Sequence, residues 1–284
     1  MTGVREYIRL TSPGINLLVM LTGFAGIWVA AQGAIAPLPA LWCLLGIGLS
    51  SAGSSVFNNC FDRDIDRIMT RTRQRPLPSG RIGLSSALIF GIVLSSVALL
   101  IMIVFVNLLS AVLTASALFV YSFLYTVILK RRTRFATEIG GISGALPPVI
   151  GWAAVRGSLG PESLLLFAIM LLWQPPHFWA LASKYREDYI RAGIPTMPVV
   201  KGRDTVNFRS LAYVLALVMV SIIPWWTGMS GLFYLSTALI LGGLYIILAI
   251  AAILSEKSMD RQLFLFSIIY LTVVFTALVV DVRG

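Results

Sequence analysis

Asn58-Asn59-Cys60-Phe61-Asp62-Arg63-Asp64-Ile65-Asp66 is the stretch on which the reading of this chain turns. It closes an apolar run over residues 40–60, long enough to cross a bilayer at about 20 residues per span. Charge at such a place is expensive and usually functional. Asn58, Asp62 and Asp66 recur every four residues, about 400° on a helix, so a continuous helix stacks their oxygens on one face. Oxygen ligands at the end of a membrane helix suit a hard cation such as Mg²⁺. Arg63, Arg67, Arg71, Arg73 and Arg75 crowd the same region. A cation beside many arginines describes a site for a diphosphate. The plainer alternative is a solvated helix end whose acids pair with Arg63 and Arg67. Asp64 lies about 200° from Asp62 on the helical wheel and is expected to meet an arginine or water.

Outward from this stretch the chain is apolar almost throughout. Of its 284 residues, 58% are hydrophobic and 12% charged, a composition that no soluble domain needs. Nine segments can span a bilayer: 15–33, 40–60, 83–105, 108–129, 138–155, 163–183, 210–227, 231–254 and 263–281. The third and fourth divide near Asn107-Leu108-Leu109-Ser110. The expected fold class is an all-α polytopic membrane protein of nine transmembrane helices, with residues 1–284 as one membrane-embedded domain.

The net charge of +10 follows from topology. With the N-terminus cytoplasmic, 20 Lys and Arg fall inside and 2, Arg156 and Arg283, fall outside. This pattern predicts a cytoplasmic N-terminus, an outside C-terminus and chemistry on the cytoplasmic face, not nucleic-acid binding. Cys43 and Cys60 suggest neither a disulfide framework nor a thiolate metal site. Few residues precede the first span, which leads to the expectation of a bacterial-type inner (plasma) membrane rather than an organelle precursor.

A second charged helix end follows span six: Lys184-Tyr185-Arg186-Glu187-Asp188-Tyr189. On a continuous helix Lys184 and Asp188 share a face, opposite the first motif. Asp62 and Asp188 each end an apolar span ahead of a basic loop, a hint of two four-helix units, about 10–135 and 136–255, plus a ninth helix. Pro147-Pro148 and Pro175-Pro176 are expected to interrupt spans five and six. Gly140 and Gly144 form a small-xxx-small face for helix contact. His177, the single histidine, can be a haem ligand, another part of an acceptor pocket, or a hydrogen-bonded core residue. Lys130-Arg131-Arg132 is either a positive-inside anchor or a contact for diphosphate or for carboxylates of the acceptor.

Asn58-x-x-x-Asp62-x-x-x-Asp66 followed by Arg71-Thr72-x-x-Arg75-Pro76-Leu77 resembles the first signature of UbiA-type intramembrane prenyltransferases. Lys130-Arg131-Arg132-Thr133, the segment from Gly144 to Trp152, Pro176-His177-Phe178-Trp179, and Tyr185 to Tyr189 with Ala192-Gly193-Ile194-Pro195 resemble the protohaem IX farnesyltransferase subgroup. The resemblance implies nine helices around a central cavity, Mg²⁺ as cofactor, and farnesyl diphosphate and haem b as substrates. The implied reaction transfers farnesyl to a haem vinyl group with addition of water, giving haem O. The implied roles are Mg²⁺ binding and catalysis for Asn58, Asp62, Asp66 and Asp188, and diphosphate contact for Arg71, Arg75, Lys130 and Lys184. An acceptor pocket would involve His177, Tyr185, Arg131 and Arg186. The lipid bilayer is the remaining partner, and transient association with a haem A synthase or a terminal oxidase is an expectation. A quinone prenyltransferase is the alternative; Lys184, where quinone-forming relatives carry the first of two aspartates, speaks against it. Ser12 and Ala136 also depart from the subgroup, which often has Lys and Asn there. A transporter for an organic anion would spread its charges across the membrane, whereas these gather at one face. A haem-binding factor without catalysis leaves the Asn/Asp stack unexplained.

Overall fold

The computed structural model describes residues 2–283, and the elements there are all helical apart from one isolated bridge between Ser230 and Val282. The chain runs α1 (Thr2–Leu10), α2 (Pro13–Ala30), α3 (Pro37–Phe61), α4 (Arg63–Ile68) and α5 (Leu84–Ile101). It continues as α6 (Leu108–Phe119), α7 (Ala136–Arg156), α8 (Pro161–Lys184), α9 (Arg186–Arg191), α10 (Met197–Trp226), α11 (Leu232–Leu254) and α12 (Asp260–Val280). Proline opens α2, α3 and α8, where its fixed φ and missing N–H cost nothing. Two helices carry on in π-helical form, α5 over Met102–Val106 and α6 over Val120–Leu129.

Asn107 makes the division that the sequence left least secure. Its backbone is extended, its Oδ1 caps α6 by accepting from Ser110 N at 2.8 Å, and its Nδ2 donates to Ala153 O at 2.8 Å. The seventh predicted span, 210–227, begins earlier in the structure, as part of α10. That helix breaks at Gly202, whose φ of 76° suits glycine.

Among the described residues, eight helices are long and apolar enough to cross a membrane. The fifth predicted span is α7, 21 residues long and less apolar than the others because 14 of those residues are buried by protein. A helix shielded from lipid can be built from Gly, Ala, Ser and Pro, which let neighbours come close. It packs against α2, α3, α6 and α8, while α12 closes the bundle against α2, α8 and α11. Lipid-facing positions such as Ile89, Ile92, Leu100, Ile240 and Ile247 stay exposed on the outer helices.

Pro147-Pro148 and Pro175-Pro176 do not interrupt α7 and α8, contrary to expectation; both helices run through them. All four rings are buried, and packing by neighbouring helices holds the helical path where backbone hydrogen bonds are lost. Gly140 and Gly144 both admit a close neighbour, as a small-residue face does, but from two different helices. Gly140 accommodates the Tyr125 ring, while Gly144 accommodates Gln174, which donates to Gly141 O at 2.7 Å. The closest crossing of backbones lies elsewhere, between α2 and α7. A Cβ on Gly26 would stand 2.0 Å from Pro148 O, and one on Gly151 would stand 2.1 Å from Gly23 O.

α1 was not foreseen. It buries Leu10 against Val56, Cys60, Leu77 and Ile82 and leaves Val4 and Ile8 exposed, as an interfacial helix does. Glu6 on α1 accepts from Arg81 at 2.8 Å, and Arg81 also donates to Gln74 O at 2.6 Å.

Gly26→Ala is expected to destabilise the fold by about 1–3 kcal/mol, the usual range for overpacking. Thermal unfolding in detergent measures it, and an unchanged midpoint would show that α2 and α7 can separate without cost.

Candidate functional site

The two charged helix ends come together. α3 stops at Asp62 (φ −90°, ψ 3°) and α4 follows at once; α8 stops at Tyr185 (φ −110°, ψ 28°) and α9 follows at once. Each is a long helix turning into a six-residue helix, so the two motifs share a form despite their different sequences. Ile65 and Met69 on one side pack with Ala182, Tyr189 and Ile194 on the other. Arg71 N donates to Asp188 Oδ2 at 3.2 Å, and Arg191 donates to Thr70 Oγ1 at 2.9 Å.

Three carboxylates are buried there: Asp62 at 1%, Asp66 at 3% and Asp188 at 5% exposure. A buried charge requires a partner, and each has one. Lys130 Nζ holds Asp62 Oδ2, which also accepts from Asn58 Nδ2 at 2.9 Å. Arg75 donates to Asp66 at 2.8 Å, and Arg191 donates to Asp188. The expected single stack is therefore only half formed. Asn58 and Asp62 touch, but Asp66 turns to Arg75 beyond the break at Asp62. Among the described residues no three acidic, His or Cys side chains gather into one metal-holding group. The break at Tyr185 likewise puts Lys184 and Asp188 on different helices.

The donors still fit a hard cation. Asp62 Oδ1 is buried with no protein hydrogen-bond partner, beside Asn58, whose amide nitrogen is already committed to Asp62 and to Thr126 Oγ1. Thr126 in turn donates to Tyr121 O at 2.8 Å, five residues back, as the π-helical stretch allows. That stretch ends on Lys130 and so aims the lysine at Asp62.

Electrostatics follow from these contacts. Burial works against both the Asp188 carboxylate and the Lys130 ammonium. For Asp188 the donors at Arg71 and Thr70, with Arg191, outweigh burial and lower its pKa. For Lys130 the Asp62 carboxylate outweighs burial and raises its pKa. Asp64 is lowered by its hydrogen bonds from Arg131, which grips both its oxygens at 2.7 and 2.8 Å.

Arg71 and Lys184 differ from Arg75 and Lys130 in having no carboxylate among the described residues. Both sit over the Tyr185 ring, Arg71 at 5.4 Å and Lys184 at 5.1 Å from its centroid. Arg131 is taken up by Asp64 and by Phe61 O at 2.7 Å, an exposed clamp away from the buried acids. Arg186 donates to Pro198 O at 3.1 Å.

His177 lies deeper on α8, stacked between Trp173 and Phe264 with centroids at 4.4 and 4.8 Å. Its Nδ1 is 2.7 Å from Ser267 Oγ, and Ser267 donates its own proton to Phe264 O at 2.6 Å. Ser267 must then accept from Nδ1–H, which leaves the lone pair on Nε2.

A match to the UbiA prenyltransferase family covers residues 19–274. This chain belongs to that family. A protoheme IX farnesyltransferase of Aquifex aeolicus is 47% identical over 98% of this chain and 95% of its own length. The fold is that of solved UbiA-type proteins. A digeranylgeranylglyceryl phosphate synthase has a TM-score of 0.82 at 22% identity, covering 99% of both chains. A UbiA homologue from Archaeoglobus fulgidus bound to GPP and Mg²⁺ has a TM-score of 0.66 at 17% identity, covering 97% of this chain and 99% of that one.

Thr126, Thr70 and Ser267 hold Asn58, Arg191 and His177 in place, contacts that sequence reading missed. Thr126 sits four before Lys130, a spacing that hints at a shared face; Ser267 gave no signal.

Lys130→Met should cost about 3–5 kcal/mol by leaving the Asp62 charge buried and unpaired, read as a lower unfolding midpoint; Asp62→Asn in the same chain should recover most of it. Asp188 has a folded pKa below the usual carboxylate value of about 3.9, so its contribution is present above that pH and is lost as pH falls through the folded pKa. Asp188→Asn is thus expected to be less stable than the parent near neutral pH, with the gap narrowing below about pH 4. A gap independent of pH would show that Asp188 acts by packing alone.

Proposed function

We propose that this protein is a protohaem IX farnesyltransferase: it moves the farnesyl group of farnesyl diphosphate onto a vinyl group of haem b, with addition of water, giving haem O and diphosphate. The observation that carries this reading is the meeting of two acidic helix ends, each charge buried, in a UbiA chain 47% identical to a protoheme IX farnesyltransferase over nearly its whole length. Residues 1–284 then form one catalytic domain of nine spans in the plasma membrane, with the N-terminus and the acidic site on the cytoplasmic side. The paired form of α3–α4 and α8–α9 supports two four-helix units plus a ninth helix.

Asn58 and Asp62 hold Mg²⁺ in this reading, with Asp66 and Asp188 flanking the same diphosphate. Bound there, Mg²⁺ neutralises the diphosphate and makes it a better leaving group. Arg71 and Lys184, two cations with no carboxylate partner among the described residues and both over the Tyr185 ring, take the phosphate oxygens. Lys130 and Arg75 orient Asp62 and Asp66 and offset the charge that develops as the allylic C–O bond breaks. The farnesyl chain extends from the acidic site between apolar helices, where the absence of bulk water protects the cation. The haem lies at the level of His177 in this reading, with the Nε2 lone pair as the side chain's open acceptor.

Product mass spectrometry tests this directly. Purified protein in detergent with Mg²⁺, farnesyl diphosphate and haem b should yield a haem carrying one farnesyl group and one water, and chelation by EDTA should abolish it. Asp62→Ala should lower turnover per folded molecule by about 10²-fold or more, as for loss of a charge-stabilising group at a reacting centre. Prenylation of an aromatic acid in place of haem would overturn the acceptor, and near-normal haem O formation by Asp62→Ala would remove the metal assignment.

A further inference from the structure

A small cavity lies beside Lys130 and is not used by the transfer step just described. Tyr125, Lys130, Thr133, Thr137, Phe178 and Thr196 form most of its wall, and it offers about 10 Å³ to a water centre. That is room for roughly one water molecule. It adjoins the lysine that grips Asp62 and, through Phe178, the residue next to His177 on α8. Beside Lys130 it stands at the donor end of the proposed site, where the carbon that receives the farnesyl group must come.

Thr196 is the informative wall residue. It is the N-cap of α10, where a threonine hydroxyl normally accepts from the second or third backbone N–H of the helix. Here the second position is Pro198, which has no N–H, and Val199 N donates at 3.0 Å to the Thr196 carbonyl instead. The hydroxyl makes no cap bond. Thr196 is 8% exposed, and its Oγ1 has no protein hydrogen-bond partner. Arg134, also in the wall, buries an Nε without a partner. A buried hydroxyl and a buried donor facing one water-sized space call for a water between them.

We propose that this cavity holds the water added to the haem vinyl group, and that Thr196 is its positioning residue. The proposal rests on the farnesyl transfer proposed above. The donor C–O bond breaks and its electron pair leaves with diphosphate. The terminal vinyl carbon bonds to C1 of the farnesyl group, and the inner vinyl carbon is left electron-deficient. The oxygen of the held water bonds to that carbon, and its proton passes to a diphosphate oxygen. Haem b, farnesyl diphosphate and water thus balance haem O and protonated diphosphate. Thr196 Oγ1 accepts a hydrogen bond from the water and raises the electron density on its oxygen. A space for a single molecule keeps the earlier allylic cation from bulk solvent. Without that water the inner carbon loses a proton, and the product is lighter by one water.

The test compares the hydrated and unhydrated farnesyl-haem products by mass spectrometry. Parent protein, Thr196→Val and Thr196→Ser are each given Mg²⁺, farnesyl diphosphate and haem b in water labelled with oxygen-18. The parent should incorporate the label. Thr196→Val, matched in shape but without the hydroxyl, should raise the ratio of unhydrated to hydrated product by about 10-fold, the scale of one lost hydrogen bond. Thr196→Ser should restore the parent ratio. An unchanged ratio in Thr196→Val, or failure of Thr196→Ser to restore it, overturns the proposal. If Thr196→Val does not fold, Thr196→Ala supplies the same ratio. Absence of any farnesylated haem from the parent instead overturns the underlying function.

Discussion

The contact between Lys130 and Asp62 is the one on which the cytoplasmic end of this protein depends. A carboxylate 1% exposed at the end of a membrane helix cannot persist as an ion alone. Its partner comes from a different helix, 68 residues further along, just past the π-helical end of α6. The same pair fixes Asn58 and orders the Thr126 hydroxyl. Asp66 with Arg75 and Asp188 with Arg191 repeat the principle, each acid supplied with a cation before any ligand arrives. With these three acids paired internally, Arg71 and Lys184 at the same end keep no carboxylate partner among the described residues and rest on the Tyr185 ring.

This arrangement separates two tasks that a sequence displays as one cluster. Arginines and lysines crowd the loop after α4 and the end of α8, and from spacing alone they look equivalent. In the fold, Arg75, Arg131 and Arg191 are each committed to a carboxylate. Arg71 and Lys184 are held by an aromatic face, which attracts a cation without neutralising it.

Much of the fold was legible because a bilayer constrains sequence severely. Length, apolarity and the asymmetry of Lys and Arg gave nine segments that correspond to the long helices within a few residues, apart from the earlier start of α10. The meeting of the helix ends at Asp62 and Asp188 was legible because charge in such a setting is rare, and the Asn58–Asp62 contact because they lie one helical turn apart. Asp64 met an arginine as its wheel position implied. Three features escaped for physical reasons. The breaks at Asp62 and Tyr185 depend on tertiary packing, so a stack assumed continuous was redirected. The Gly26–Gly151 crossing pairs residues over a hundred positions apart, and nothing local marks it. The proline pairs read as breaks, yet buried packing outweighs their preference.

The tie between Glu6 and Arg81 bears on the loop that carries Arg71 and Arg75. That loop leaves α4 at Met69 and returns to α5 at Gly83, and an unrestrained segment of this length would sample many shapes. Leu77 is pinned under Leu10 of α1, and Arg81 is held by Glu6 and Gln74. Its configurational entropy is therefore surrendered once, during folding, rather than at each encounter with a ligand. The interfacial helix α1, invisible in any motif, acts as the splint that keeps the loop arginines in register.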